Sequence, residues 1–197
     1  NILQPDLIVF TGDMADCPVD QLQVDVEPLA ELRAPLGQFS VTGNHEYYSG
    51  VHDWTAQTER LGFSVLLNDS LLIKRGEHSI ALVGVTDFGA ETIVPDHRSD
   101  PQCALANAPK ANLTILLAHQ PRSIHAAAGA DIQLSGHTHG GQFVPWKYIV
   151  PLQQTYLAGL HHHKSTWLYV HSGCGYWGPP LRIGAPSEIA LHIIRST

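Results

Sequence analysis

Residues 113–119 read LTILLAH, and residues 132–141 read IQLSGHTHGG. Each stretch is a short apolar run that ends in a polar or glycine-rich loop, the pattern of a buried strand that delivers a loop at its carboxyl end. Two earlier stretches repeat the pattern: residues 7–13 read LIVFTGD, and residues 37–46 read GQFSVTGNHE. The sequence therefore predicts several buried strands that each present a polar loop at one end.

Helices are predicted between these strands. Residues 21–34 carry apolar side chains at helical spacing, although Pro28 must start that helix or kink it. Residues 51–61 show the same spacing. Strands alternating with helices predict an α/β domain, and the later strands add a second sheet. The further predicted strands lie at 64–67, 71–74, 79–85, 166–171 and 188–194, of which the first three could pair as a meander.

The composition predicts one globular domain over residues 1–197, because 44% of the residues are hydrophobic and 15% are charged. The formal net charge is -7 and no basic run is longer than Lys74–Arg75, so the chain has no footprint for a nucleic-acid partner. Cys17, Cys103 and Cys174 form no CxxC pair, which argues against a disulfide framework and a thiolate zinc site. We expect them to be buried in a protein of a reducing compartment.

Histidine is unusually frequent, with 13 residues against 11 Lys and Arg together, and its placement suggests a metal site. Carboxyl ends of strands in α/β sheets are where ligand sites assemble. Glycines around His137 and His139 let the backbone turn so that both imidazoles can face a metal. The candidate residues that follow the four predicted strands are Asp13, Asn44, His45, His119, His137 and His139.

Four segments together resemble the successive motifs of the calcineurin-like metallophosphoesterase superfamily, over essentially the whole chain. They are residues 12–16 (GDMAD), residues 43–46 (GNHE), His119, and residues 136–139 (GHTH). The resemblance implies two mixed β-sheets packed face to face and flanked by helices, a four-layer αββα sandwich. Residues 140–142, 178–182 and 186–189 are further similar to a bacterial branch whose members often carry membrane anchors upstream of the catalytic domain.

The resemblance also implies a site with two divalent metal ions, such as Mn²⁺, Fe or Zn²⁺. Asp13 would bridge both ions, and Asn44, His119 and His137 would complete one of them. His139 would bind the other ion. Such a site hydrolyses a phosphodiester or phosphomonoester by two-metal activation of water, with His45 as the general acid.

Three further residues are candidates for supporting roles. Asp16 and Glu46 could each orient a ligand or cap a turn. Arg182 could bind a phosphate or pair with a carboxylate. The loops at 87–100 and 143–160 are expected to wall the pocket, and the irregular second loop could fold over it.

One family motif is not found. The superfamily opens with an Asp-x-His pair on its first strand, and no such pair occurs ahead of Asp13. We therefore expect an N-terminally truncated domain that lacks the first strand-loop-helix unit, in which the second ion has only Asp13 and His139. A non-catalytic metal- or phosphate-binding domain is the alternative. A metallo-β-lactamase-type site would need a His-x-His-x-Asp-His run, which the residues after His139 do not provide.

The expected substrate is a phosphorylated small molecule or a lipid-linked phosphate. No apolar stretch approaches the roughly 20 residues that span a bilayer, so the domain is expected to be soluble as given, on the cytoplasmic side. Membrane contact would come only through an upstream segment. The histidines at 161–163 are expected at a solvated hairpin tip. The histidines without motif support are expected at the surface or in the core, and they are His52, His78, His97, His125, His171 and His192.

Overall fold

The computed structural model describes residues 3–14 and 16–195. A first sheet contains β1 (Ile8–Phe10), β2 (Gln38–Ser40) and β3 (Ser64–Val65) in that order. Both of its pairings are parallel, so the carboxyl ends of its strands lie at one edge. β3 therefore does not form the meander that the sequence suggested, because it pairs with β2 rather than with the strand that follows it.

A second sheet contains six strands in the order β4-β5-β6-β7-β9-β8. Its central strands β5, β6, β7 and β9 are parallel, and antiparallel hairpins close both edges. The bounds of its strands are β4 Asp69–Arg75, β5 His78–Gly84, β6 Leu113–Leu117, β7 Ile132–Ser135, β8 Gly159–His163 and β9 Thr166–Val170.

The two sheets pack face to face through their apolar side chains. Phe39 of β2 lies in one buried cluster with Leu82 of β5 and Leu117 of β6. The alternate residues of the same strands, such as Val83 and Leu116, point to the opposite face and pack against flanking segments. Each fully buried Leu contributes about 1.5–3 kcal/mol relative to an exposed one. The predicted architecture of two packed sheets flanked by helices is confirmed, and its carboxyl-end loops lie where the two sheets meet.

The helices follow local sequence rules. Helix α1 begins at Val19 and ends at Val26, where a 3-10 turn, Glu27–Glu31, takes over. Pro28 explains the change, because proline cannot donate the next helical hydrogen bond. Helix α2 is Asn44–Ser49 and starts directly after the loop of β2. The remaining helices are α3 Val51–Arg60, α4 Pro101–Ala106 and α5 Trp146–Ile149.

Several sequence predictions are wrong in detail. Residues 188–194 form no strand within the described chain, because no described strand edge pairs with them. The histidines at 161–163 belong to β8, and the hairpin turns after them at Lys164–Ser165. Cys103 and Cys174 are exposed rather than buried. Among the described residues, no helix has both the length and the apolar character needed to cross a bilayer.

Candidate metal centre

Asp13, His119 and His137 come together from three different strand ends. One ligand atom of each lies within 4.8 Å of the others. His119 Nε2 is 2.9 Å from Asp13 Oδ2 and 3.1 Å from His137 Nδ1. All three are nitrogen or oxygen donors that transition metals accept. The geometry therefore concentrates electron-pair donors around one point at the meeting of the two sheets.

The hydrogen-bond partner of His119 decides which of its nitrogens faces this point. Its Nδ1 lies 2.7 Å from the carbonyl oxygen of Thr11. A carbonyl can only accept, so Nδ1 carries the hydrogen and the neutral ring presents a lone pair at Nε2. Second partners of this kind fix the tautomer of metal-binding histidines. Thr11 directly follows β1, so a residue of the first sheet orients the His119 ring, which follows β6 of the second sheet.

The pKa values of Asp13, His119 and His137 are shifted in ways that indicate an environment favourable to positive charge. Burial alone would lower the pKa of His119, but the charge and hydrogen bond of Asp13 raise that pKa to about 9. Burial acts to raise the pKa of Asp13, yet His119 holds it below its ordinary value. Burial and then the charge of His119 lower the pKa of His137 to about 3. A buried carboxylate here is thus stabilised by positive charge, which a proton on His119 or a cation could supply.

Glu46 braces the loops that carry Asp13 and Asn44. Its buried carboxylate accepts hydrogen bonds from the backbone N–H groups of Asp13, Met14 and Gly43, at 2.9, 2.6 and 2.6 Å. Burial, and next the charge of Asp13, raise the pKa of Glu46. Glu46 therefore caps the start of α2 through Gly43, and it also holds the loop of Asp13 in place.

Gly12 and Gly43 allow the loop after β1 and the loop after β2 to approach each other closely. A Cβ on Gly12 would lie 2.3 Å from the backbone nitrogen of Gly43, and a Cβ on Gly43 would lie 2.1 Å from Asp13 Oδ1. Real Cβ atoms do not approach other atoms this closely, so the crossing excludes any side chain at either position. The backbone N–H of His45 then donates to Asp13 Oδ1 at 3.0 Å, which orients the carboxylate.

Asn44 provides an independent sign that the site fits a metal. Its Oδ1 is buried, and no described residue forms a hydrogen bond with it. A buried acceptor without a partner costs about 1–3 kcal/mol, and a cation would satisfy it. Asn44 lies between Gly43 and His45, both of which contact Asp13. The donor set of carboxylate, amide oxygen and imidazoles suits Mn²⁺, Fe or Zn²⁺.

The side chain of His45 contacts Asp16. It is not part of the Asp13–His119–His137 group. Its Nδ1 lies 2.5 Å from Asp16 Oδ1. Because a carboxylate has no hydrogen to donate, Nδ1 donates and the ring is held with Nε2 on the other side. His45 is largely shielded from solvent, whereas Asp16 is more than half exposed.

His139 is not part of the group formed by Asp13, His119 and His137. It is not among the described residues whose ligand atoms lie within 4.8 Å of one another. Arg182 lies against it, with Nη1 donating to the His139 carbonyl at 3.3 Å and Nη2 3.3 Å from Nδ1. Burial lowers the pKa of His139 to about 4, and the charge of Arg182 opposes the effect of Asp13.

Arg182 is a structural clamp in this structure. Its Nε, Nη1 and Nη2 donate to the carbonyl oxygens of Gly175, Ala185 and Ser172 at 2.7, 3.2 and 2.8 Å. These contacts hold the chain after β9 in its fold, and the two contacts to His139 tie that chain to the His139 loop. With each nitrogen engaged, neither sequence-based role for Arg182, phosphate binding or pairing with a carboxylate, matches its observed contacts.

The backbone is strained at several of these positions. Asp13, His137 and His139 have φ angles of 61°, 68° and 51°. Non-glycine residues rarely adopt the left-handed region, and the cost is of order 1–3 kcal/mol each. Such outliers persist where the surrounding structure enforces them, and here they coincide with the predicted ligands.

Arg122 was missed by sequence reasoning. It lies in the 3-10 segment Pro121–Ala126, three residues after His119. Its Nη2 donates to the Gln153 carbonyl at 3.1 Å, and its guanidinium carbon lies 4.8 Å from the centre of the Phe88 ring. Its Nε is buried and has no hydrogen-bond partner among the described residues, and its charge is the last of the effects that lower the pKa of His137. Arg122 is therefore a buried cation with one unused donor.

His171 was also missed. Its Nε2 lies 2.6 Å from Thr11 Oγ1, and its ring lies 3.0 Å from where a Cβ on Gly136 would be. Burial lowers its pKa to about 4, so it stays neutral and supports the Thr11 loop. The position of His171 in the sequence could have indicated it, because His171 follows β9 just as the predicted ligands follow their own strands.

Comparison with known proteins identifies relatives at the sequence level. The sequence profile described as calcineurin-like phosphoesterase matches residues 1–141. A Helicobacter pylori protein named as an uncharacterized metallophosphoesterase is 40% identical over 197 residues, which cover 96% of this chain and 51% of that protein. A Bos taurus protein named transmembrane protein with metallophosphoesterase domain is 38% identical over 209 residues, covering 100% of this chain and 47% of that protein.

These comparisons also show how much of each relative this chain matches. The chain spans about half the length of these two relatives. Because the relatives include an animal protein, the predicted bacterial branch is not confirmed. Among solved structures, the 5'-nucleotidase precursor from Thermus thermophilus superposes with a TM-score of 0.54 at 18% identity, over 85% of this chain and 39% of that chain. That likeness shows the shared fold.

Proposed function

The chain belongs to the calcineurin-like phosphoesterase family, and on that premise we propose that it hydrolyses a phosphodiester or a phosphomonoester. The observation that carries the proposal is the convergence of Asp13, His119 and His137 at the meeting of the two sheets. The unpartnered oxygen of Asn44 supports it, because a cation would satisfy that buried acceptor.

Two divalent cations would be held by residues of this chain. Asp13, Asn44, His119 and His137 would bind one, and Asp13 with His139 would contribute to the second. When bound, such cations lower the pKa of a water molecule and neutralise the charge of the phosphate. Glu46 keeps Asp13 in position through the backbone, and Thr11 keeps the lone pair of His119 directed inward.

His45 would supply the proton that the leaving group needs. Asp16 accepts the Nδ1–H of His45, so the ring carries a second hydrogen at Nε2 only in its imidazolium form. That form would donate the Nε2 hydrogen to the departing oxygen and become neutral. His45 follows Asn44 in the chain, which places it beside the ligand loop without making it part of the Asp13–His119–His137 group. Proton donation to a poor leaving group typically contributes a factor of about 10²–10⁴ to the rate.

Arg122 would bind a non-bridging oxygen of the phosphate. Its Nε has no partner, and a guanidinium fork matches phosphate geometry. Phe88 and the Gln153 carbonyl contact the guanidinium group and hold the side chain in place. This assignment replaces Arg182, whose nitrogens bind backbone carbonyls.

The test is Mn²⁺-dependent hydrolysis of bis(p-nitrophenyl) phosphate and of p-nitrophenyl phosphate by this chain. We expect turnover that chelation abolishes, that Asp13→Ala abolishes and that His45→Ala reduces. His78→Ala is the matched control, because His78 lies at the exposed start of β5. Stoichiometric Mn²⁺ binding without turnover by the folded protein would instead support the alternative, a non-catalytic metal- or phosphate-binding domain.

For the substrate we propose a phosphorylated small molecule or a lipid-linked phosphate. The structural likeness to a 5'-nucleotidase supports the first, and the relative named as a transmembrane protein supports the second. Phosphate release from a nucleoside monophosphate and from a phosphomonoester lipid in detergent micelles, measured side by side, distinguishes the two classes.

A further inference from the structure

The acidic residues are unevenly distributed along the chain. Residues 132–187 contain no Asp or Glu, although the whole chain has 18 of them and a formal net charge of -7. The same stretch carries the cations Lys147, Lys164 and Arg182, and three of the four tryptophans. The segment includes β7, β8 and β9, and Lys164 lies in the turn between β8 and β9. The loops after β7 and β9 carry Lys147 and Arg182, and up to residue 187 they have no acidic side chain that would repel an anion.

Part of this stretch forms an exposed apolar surface. Tyr148 and Leu152 are 71% and 84% exposed, and Val144 and Ile183 are 61% and 63% exposed. Trp146 and Trp177 stack beside them, with ring centroids 5.6 Å apart. We call this surface the aromatic face, and its members are Val144, Trp146, Tyr148, Leu152, Trp177 and Ile183. Exposed apolar patches of this kind mark interaction sites.

The aromatic face is attached to the loop of His139. The side chain of Gln142 accepts from the Trp177 backbone N–H at 2.7 Å and donates to the Trp177 carbonyl at 2.6 Å. The Ile183 backbone N–H donates to the Gln142 carbonyl at 2.8 Å. A Cβ on Gly141 would lie 2.6 Å from the backbone of Lys147. Both halves of the face are therefore held against the predicted ligand loop.

We propose that the aromatic face docks on the surface of an anionic phospholipid bilayer. Trp and Tyr prefer the interface between headgroups and acyl chains, since their rings are apolar and their polar atoms remain hydrated. Lys147 on this face complements anionic headgroups, and no acidic side chain in its two loops opposes them. Docking would present the neighbouring metal centre to phosphates at the membrane surface.

This contact differs from an upstream anchor, because residues of the catalytic domain itself make it. It is independent of the proposed hydrolysis, since binding to vesicles requires no turnover. It can therefore be tested with a chelator present, so that a failure of the enzyme assay and a failure of membrane docking are separate results.

The experiment is co-sedimentation with vesicles of phosphatidylcholine and phosphatidylglycerol in equal parts. The wild-type chain should partition into the pellet, and its tryptophan fluorescence should shift to shorter wavelength. The double variant Tyr148→Ser, Leu152→Ser should lower the partition coefficient at least about tenfold, because two apolar anchors are lost. The control Leu3→Ser, Val24→Ser removes side chains that are 58% and 78% exposed elsewhere, and it should partition like the wild type.

Unchanged melting temperatures of both double variants would show that folding is intact, as expected for exposed positions. Absence of wild-type partitioning would overturn the proposal. Equal partitioning of the aromatic-face variant and the control would also overturn it. A concentration-dependent dimer that the Tyr148 and Leu152 substitutions dissociate, seen by light scattering without vesicles, would assign the face to a second copy of the chain instead.

Discussion

The carboxylate of Glu46 accepts a hydrogen bond from the backbone N–H of Asp13 at 2.9 Å. Asp13 lies in the loop that follows β1, and Glu46 lies in the first turn of α2, which follows β2. Glu46 also accepts from Gly43 on its own loop. One buried side chain thus fixes the distance between the carboxylate and the amide that we propose as metal ligands.

Replacing Glu46 should weaken this junction. In Glu46→Gln, the amide NH₂ must face at least one backbone N–H that the carboxylate now satisfies. We expect a loss of about 1–3 kcal/mol in the free energy of unfolding, measured by urea denaturation, together with weaker Mn²⁺ binding. Glu59→Gln on the exposed side of α3 is the control and should change stability by less than about 0.5 kcal/mol. Equal stability of the two variants would refute the bracing role.

Replacing Gly43 should disrupt the site through a single methyl group. Gly43 has φ -99° and ψ -173°, which any residue can adopt, so Gly43→Ala adds only a clash with Asp13. We expect Mn²⁺ affinity, measured by titration calorimetry, to fall at least about tenfold, since the ligand carboxylate must move. Gly175→Ala is the matched control, because nothing lies within 4 Å of its added Cβ. Wild-type affinity in Gly43→Ala would contradict the close crossing of these two loops.

The role of His45 predicts a dependence on the leaving group. A p-nitrophenolate departs without a proton, whereas an alkoxide requires one. His45→Ala should therefore reduce turnover of an alkyl phosphate ester by about 10²-fold or more, and that of a nitrophenyl ester by less. Asp16→Asn should show the same trend more weakly, with Mn²⁺ content unchanged. An equal loss for both ester types would argue for a structural effect instead of proton donation.

Arg122 should govern the affinity for phosphate. Arg122→Ala is expected to raise the inhibition constant of inorganic phosphate about tenfold or more, and Arg122→Lys should restore part of the loss, since lysine keeps the charge without the planar fork. Arg98→Ala provides a control, because Arg98 is 78% exposed and only loosely paired with Glu91. Phosphate binding to the Mn²⁺-loaded protein can be followed by calorimetry even without turnover. Unaltered phosphate binding in Arg122→Ala would show that Arg122 does not bind the phosphate.

Metal binding should release a proton at neutral pH. In the metal-free protein the pKa of His119 is about 9, above its ordinary value of 6.5, so its protonated form stabilises the fold below pH 6.5 and that contribution is lost as the pH rises through 9. A cation must displace this proton, and Mn²⁺ affinity should therefore increase between pH 6.5 and 9. Calorimetry in two buffers of different ionisation enthalpy measures the proton release. A value near zero at pH 7 would refute the ion pair of His119 with Asp13.

Much of the fold could be predicted because the patterns that indicate strands involve residues that are close together in the sequence. The buried strands that were predicted within residues 113–119 and 132–141 are β6 and β7, since a continuous apolar run followed by glycine or histidine is typical of a buried strand. The strand predicted at 188–194 was wrong for a complementary reason. Alternating apolar residues favour an extended backbone, but a strand also needs a partner edge, and that depends on residues far away in the chain.

The sequence by itself determined which residue types follow each strand, and thereby the candidate ligands Asp13, Asn44, His119, His137 and His139. Tertiary structure alone decided how these residues are used. It gathered Asp13 with His119 and His137, held His139 under Arg182, and gave Arg122 rather than Arg182 the unpaired donor. The physical reason is that strand formation depends on neighbours in sequence, whereas hydrogen-bond partners, burial and pKa depend on which loops meet when two sheets pack together.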